Sequence, residues 1–350
     1  MRGRYITFDP GRRKRALGEP GTMMKSDKHE KRQKKRMATV VTQAGREPFE
    51  HFGFVNPPIY RGSTVLFPTV AELGAPRQPY TYGTKGTPTT RALEVAWSEI
   101  AGAEDTVLVP SGLAAIALAL LTATKAGAHL LVTDSAYAPT RFFCDGFLAR
   151  FGVTTEYYDP AIGADIAALI RPETTAILLE SPGSQSMDIQ DVPAIAAVAH
   201  EKGVCVIIDN TWATTLYFPP HERGCDLAIE AGTKYLSGHS DLLLGLVSAN
   251  AKWAKRLRHT FNLFAIGSGP DDAALALRGL RTMALRLREQ GRAALDIANW
   301  LAARPEVARV LHPALPDHPG HEIWKRDFSG SSGVFSIILK PASEAAVAAF

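Results

Sequence analysis

The run Val204-Cys205-Val206-Ile207-Ile208-Asp209-Asn210-Thr211-Trp212 decides the fold. Five apolar residues follow one another without a polar break and then stop on an acid. A continuous apolar run of strand length predicts a strand over 204–209 with both faces buried. Such strands belong to parallel sheets that carry helices on either side. Similar short runs lie upstream at 105–109, 129–133, 154–158 and 176–180. Helical periodicity fills the gaps at 91–102, 112–125, 140–151 and 192–202. Alternation of this kind predicts an α/β fold, a mostly parallel sheet sandwiched by helices. Downstream, 242–247 reads as a strand, and 271–304 keeps helical spacing with Gly279 and Gly291 as weak points. A strand at 333–340 follows, and Ser343 reads as the N-cap of another helix.

The 350 residues are 46% apolar and 21% charged, the composition of a folded soluble chain with ample core. Three cysteines (Cys144, Cys205, Cys225) form no disulfide framework, and together with the lack of a signal-peptide pattern they predict a cytoplasmic location. No uncharged stretch is long and unbroken enough to span a bilayer, so no membrane partner is expected. The net charge of +4 is unevenly spread. Residues 1–36 hold 13 Lys/Arg against 4 Asp/Glu, whereas the remaining 26 meet 31 acids. This basic stretch has too few apolar residues to fold and is expected to be a disordered arm. A nucleic-acid tether would interleave aromatics with its basic run, and residues 25–36 contain none, so no nucleic-acid partner is expected. Residues 37–84, rich in Pro, Gly and aromatics, read as an irregular extended segment.

Chemistry concentrates in four places that each follow a strand. Ala231-Gly232-Thr233-Lys234-Tyr235-Leu236-Ser237-Gly238-His239-Ser240-Asp241 sets a lysine between an apolar strand and a Gly/Ser-rich turn. Lysine is the side chain that condenses with an aldehyde. Asp209 ends its strand on the edge where open parallel sheets bind ligands, and a carboxylate there can pair with a buried cationic nitrogen. Val109-Pro110-Ser111-Gly112-Leu113 is a strand–turn–helix start whose amides can hold an anion. Tyr137, in Asp134-Ser135-Ala136-Tyr137, can lie on a flat ring. A phosphate cup, an aromatic, an acid and a lysine are what pyridoxal phosphate requires. Gly267-Ser268-Gly269 does not complete a dinucleotide-binding fingerprint. The ten histidines show no metal-ligand spacing, so no metal is expected.

From about Met37 onward the chain resembles the Cys/Met-metabolism (trans-sulfuration) family of pyridoxal-phosphate-dependent enzymes. Thr233-Lys234-Tyr235 with Gly238-His239 looks like its cofactor-lysine motif, and Asp209-Asn210-Thr211 like its ring-nitrogen acid. Glu180-Ser181-Pro182-Gly183-Ser184 with Met187, His312-Pro313-Ala314-Leu315-Pro316 and Trp324-Lys325-Arg326-Asp327-Phe328 resemble the bacterial cystathionine β-lyase branch. The resemblance implies the aspartate-aminotransferase-like (type I) fold, with a large cofactor domain at 85–280 and a smaller C-terminal α+β domain at 281–350. It also implies that 37–84 contacts a neighbouring subunit in a homotetramer built as a dimer of dimers. The implied reaction is α,β-elimination of the amino-acid substrate cystathionine, in methionine biosynthesis, with related γ-chemistry or cysteine/cystine β-lyase activity as the alternative. Lys234 would carry the cofactor and move the Cα proton, Asp209 would pair with the ring nitrogen, and Tyr137 would stack on the ring. Ser111, Gly112, Leu113, Thr211 and Thr233 would complete the cofactor site. Tyr82 would reach the phosphate of the neighbouring subunit's cofactor. Thr84 stands where the family commonly has arginine, Ala231 lacks a hydroxyl many relatives use, and Asn262 replaces an expected aromatic. No residue matches the family's carboxylate-gripping arginine, and the helix begun at Ser343 reads as cut short at Phe350. The chain is therefore expected to be a truncated fragment with weak activity.

Overall fold

A computed structural model describes residues 36–75 and 78–349, so the basic arm lies outside the described residues apart from Arg36. Seven strands form one sheet in the order β1-β7-β6-β5-β4-β2-β3. They are β1 (Asp105–Val109), β2 (His129–Thr133), β3 (Thr154–Tyr158), β4 (Thr174–Glu180), β5 (Cys205–Asp209), β6 (Leu227–Glu230) and β7 (Gly245–Ala249). Only β7 runs against its neighbours. The strand that decided the sequence reading sits mid-sheet, and Cys205 to Ile208 are fully buried. Its side chains alternate between two cores, as the pleat requires. Cys205 and Ile207 face the core under the helix that begins at Gly112, and Val206 and Ile208 the opposite one.

Among the described residues the helices of seven residues or more are α1 (Met37–Gln43), α2 (Pro88–Ala101), α3 (Gly112–Ala123), α4 (Val192–Glu201), α5 (Ala254–Phe264), α6 (Pro270–Ala302) and α7 (His321–Asp327). Capping fixes where several of them begin. Thr87 forms a capping box with Thr90 ahead of α2, and Ser111 and Asp191 accept from the third residue of α3 and α4. A two-stranded sheet of β8 (Val307–Leu311) and β9 (Ser336–Leu339) stands apart from the main one. Ser343 does cap the closing helix, accepting from Ala346 N at 3.2 Å.

Four sequence readings need correction. Residues 37–84 are not uniformly extended. Met37–Gln43 is helical, Val40 and Val41 are buried against α6, and Arg281 donates to the carbonyls of Val41 and Ala44 that would otherwise be orphaned. The strand expected at 242–247 begins only at Gly245, because the Thr233 hydroxyl and amide occupy the backbone of Leu244. The helix expected at 140–151 is three helical pieces, with a π-turn at Phe143–Phe147 between an α-turn and a 3-10 turn. Strand β9 is shorter than 333–340, and its partner β8 was not anticipated.

The 33-residue α6 runs through the weak points Gly279 and Gly291 without ending. A Cβ at Gly279 would lie 2.4 Å from the carbonyl oxygens of Leu236 and Ser237, so the helix axis rests directly on the lysine-bearing loop. At an exposed helical site Gly→Ala gains about 1 kcal/mol of helix propensity. Overpacking against fixed backbone costs roughly 1–3 kcal/mol, and here the second effect wins. Gly279→Ala is expected to lower the melting temperature by several degrees, and a thermal scan that shows a rise would contradict this packing.

Candidate active site

Three acids finish three adjacent parallel strands. Glu180 of β4 is the register partner of Asp209 of β5, so the two carboxyls share one face of the sheet. Glu230 ends β6 one residue beyond the partner of Asp209 and points to the other face. The Asp209 carboxyl accepts from Thr211 N at 3.0 Å. Burial raises it, while Thr211 and the Lys234 ammonium pull it down. Glu180 is pushed up to about 8 by burial and by the facing Asp209 charge, despite accepting from Ser184 Oγ at 2.5 Å and Tyr137 N at 2.8 Å. Like charges on neighbouring strand ends cannot both ionise cheaply.

Glu180 thereby fixes Tyr137, whose ring is half exposed just before the short helix Ala138–Phe142. Gly183 packs against the turn that precedes Tyr137, since a Cβ there would stand 2.3 Å from Ser135 Oγ.

Lys234 sits beyond the end of β6 in a loop tied at many points. Its own N–H donates to Ala231 O, and its carbonyl accepts from Gly238 N at 2.8 Å. Thr211 Oγ1 accepts from Ala231 N at 2.9 Å, which joins the loop to the Asp209 turn. Thr233 Oγ1 donates to Leu244 O and accepts from Leu244 N. His239 Nδ1 lies 2.6 Å from Ser237 O. Gly238 takes φ +74°, and a Cβ there would strike the Arg286 guanidinium at 1.9 Å. That guanidinium donates to Leu236 O and Gly279 O, pinning the loop to α6.

Ser111 caps α3 by accepting from Ala114 N at 3.1 Å. The first-turn amides of Gly112 and Leu113 have no acceptor inside the helix by construction. This turn touches the lysine loop, because a Cβ on Gly112 would come within 2.9 Å of Ala231 Cβ. Gly245 completes the cradle, with only 2.1 Å between its added Cβ and Ser111 O.

Ser111, Gly112, Tyr137, Asp209, Thr211, Thr233 and Lys234 thus converge on the carboxyl edge of the sheet, as strand-end chemistry demands. Tyr82 is held elsewhere, bridging to Thr64 in the 37–84 segment and half exposed. A cavity of about 270 Å³ beside it is lined by Tyr80, Lys85, Arg91, Glu94, Arg258 and Asn262, among others. Glu180, Glu230 and Arg286 carried no site role in the sequence reading. The acids could have been found by the rule that singled out Asp209, since Ala176-Ile177-Leu178-Leu179-Glu180 and Leu227-Ala228-Ile229-Glu230 also end apolar strands on an acid.

The profile of the family described as Cys/Met metabolism PLP-dependent enzyme matches residues 38–350. A Saccharomyces cerevisiae protein provisionally described as cystathionine beta-lyase is 55% identical over 304 residues, 87% of this chain and 89% of that protein. The cystathionine beta-lyase MetC of Escherichia coli is 43% identical over 313 residues, 87% of this chain and 79% of its own. Among solved structures, metB from Corynebacterium glutamicum aligns with a TM-score of 0.84 at 30% identity, covering 88% of this chain and 80% of that one.

The raised Glu180 carboxyl has a consequence for stability. Its pKa in the folded chain lies above the usual 4.5, so its contribution is full below that pH and is lost as pH rises toward about 8. Glu180→Gln removes one linked proton. In the cofactor-free protein, thermal scans between pH 5 and 8 should show the variant losing stability less steeply than wild type. The difference is about 1.4 kcal/mol per pH unit, and parallel curves would refute the linkage.

Proposed function

The chain belongs to the Cys/Met-metabolism family of PLP-dependent enzymes, and from that premise we propose that it acts as a cystathionine β-lyase. L-cystathionine and water give homocysteine, pyruvate and ammonia. The observation that carries the reading is the edge itself, where a half-buried acid is joined by hydrogen bonds to the loop of an exposed lysine and a capped helix start packs against that loop. A pyridoxal phosphate fits there on this chain's own terms. The Asp209/Glu180 pair has one nearby cation in Lys234, so a second positive group is favoured. The glycines at 112 and 245 keep a turn open toward an anion.

When bound, the cofactor supplies an electron sink for the pair left at Cα. Lys234 would hold the cofactor until the substrate's own amine displaces it, and its freed amine would then take the Cα proton and return one to the departing sulfur. The Asp209 carboxylate keeps the ring nitrogen protonated, and Thr211 keeps that carboxylate in place. Ser111, the amides of Gly112 and Leu113, and Thr233 hold the phosphate, helped by the helix dipole. Tyr137 covers one face of the ring, and Glu180 holds Tyr137.

The quaternary part of the reading is a homotetramer of two dimers, in which 37–84 crosses to the neighbouring subunit and brings Tyr82 to its phosphate. Its support is a run of apolar side chains left bare on that segment, including Phe49 at 98% and Phe52 at 99% exposure, with Leu66 and Val70 beyond 80%. A patch of this kind marks an interaction surface. In that arrangement 85–280 is the cofactor domain and 281–350 the smaller one, with α6 continuous across residue 280. The proposed location is cytoplasmic and the proposed role methionine biosynthesis. Among the described residues no helix is long and apolar enough to cross a membrane.

Lys234→Ala is expected to abolish turnover and the borohydride-reducible cofactor link; a link that survives would remove Lys234 from its role. Asp209→Asn should keep the cofactor while kcat falls by about 10²- to 10³-fold, the cost of losing one fixed electrostatic stabiliser. On cystathionine the keto acid formed should be pyruvate. Release of 2-oxobutyrate would assign γ-elimination instead.

A further inference from the structure

Glu230 is a buried acid that the mechanism above leaves unused. It is 2% exposed, and no described residue hydrogen-bonds to either of its carboxyl oxygens. Its neighbour across the ladder is Asn210. Pairing of Asp209 with Ile229, and the 3.0 Å bond from Asn210 N to Ile229 O, set Asn210 beside Glu230. Both side chains leave the sheet on the face of Ile208 and Ala228, opposite Asp209. Adjacent strands lie about 4.8 Å apart, within reach of two such side chains.

The acceptors at this point of the ladder are left without bonded donors. Asn210 gives one of its two amide hydrogens to Phe218 O at 3.0 Å, and its Oδ1 has no donor among the described residues. An ionised Glu230 would add two further acceptors and no donor. Neither the second Asn210 amide hydrogen nor the buried Tyr235 hydroxyl, which feels the Glu230 charge, is bonded to these oxygens, and three buried acceptors without a donor are a costly arrangement. A single proton on Glu230 converts one of them into the missing donor. We propose that Glu230 is a positioning residue that works as a neutral carboxylic acid, donating its proton to Asn210 Oδ1. The bond would tie the strand that ends in Asp209 to the strand that feeds the Lys234 loop, and so fix the spacing of the two groups that grip opposite parts of one ligand. Burial and the neighbouring Asp209 charge both raise the Glu230 carboxyl well above its ordinary range, in keeping with this state. From the proposed function the inference takes only that Asp209 and Lys234 serve the same ligand.

The experiment is infrared difference spectroscopy of the holoenzyme, wild type minus Glu230→Gln, with Glu230→Leu assayed in parallel. Loss of a protonated-carboxyl C=O stretch in the Glu230→Gln variant is expected; loss of carboxylate bands instead would overturn the proposal. The amide that Glu230→Gln introduces can still donate to Asn210, whereas leucine cannot. The leucine variant should therefore lose at least tenfold in kcat with a smaller change in KM, and the glutamine variant should recover most of that loss. Equal kcat in wild type and the leucine variant would also overturn it. Should the leucine variant fail to fold, the spectrum decides alone. It does so whatever substrate the enzyme turns over.

Discussion

Parallel pairing forces Glu180 and Asp209 side by side, and among the described residues the cation that eases the pair is Lys234. Each carboxyl is the last residue of a strand whose preceding side chains are locked into a core, so neither can withdraw. Repulsion and burial together make full ionisation of both expensive. The arrangement is tolerable if one carboxyl keeps its proton, or if a second cation arrives. A protonated pyridine ring is such a cation. Under the proposed function, the structural cost of the acid pair and the affinity for the cofactor ring are one electrostatic fact seen with and without the ligand.

The lysine loop owes its geometry to contacts that only glycine permits. Gly112, Gly238, Gly245 and Gly279 come from four different places in the chain, and each brings a neighbouring group to a distance that a Cβ would occupy. Helix α6 contributes twice, through the bare backbone at Gly279 and through Arg286 over Gly238. Arg286 is half-buried and its cation is pushed down by burial. Its bonds go to carbonyls of the loop and of its own helix and to the Thr282 hydroxyl, so it works as a strap and not as an ion-pair partner. The same helix covers α1 and leads into β8, which makes the loop's position answer to packing far from the sheet edge.

Legibility followed the physics of each element. Strands buried on both faces announce themselves as apolar runs, and β1, β2 and β3 fell within their expected bounds. Lys234, Asp209, Ser111 and Tyr137 were legible because each follows such a run. Where backbone partners come from distant residues, local sequence is mute. Leu244 is apolar enough for a strand but is held by Thr233, so β7 starts late. Strand β8 carries two exposed residues in five and is stabilised by β9, from which about 25 residues separate it, so alternation was weak. Helix α1 is short and holds two adjacent valines, and its stability comes from burial under α6 and from Arg281 at its end.

Glu180 and Glu230 were hidden for a different reason. In sequence, an acid after an apolar strand is indistinguishable from a cap or a turn residue. What separates the three acids is the face each occupies and the donors it meets, and both depend on pairing register. Asp209 meets an amide and a lysine, Glu180 meets a hydroxyl and the amide of Tyr137, and Glu230 meets no donor among the described residues. A one-residue slip of β5 would turn Asp209 to the opposite face, the side on which Ala228 lies, and the same slip of β6 would turn Glu230 toward α3. The register is in turn fixed by the apolar residues behind the acids, which have no direct part in the chemistry. The core of this sheet is therefore what assigns three similar carboxyls to three different electrostatic roles.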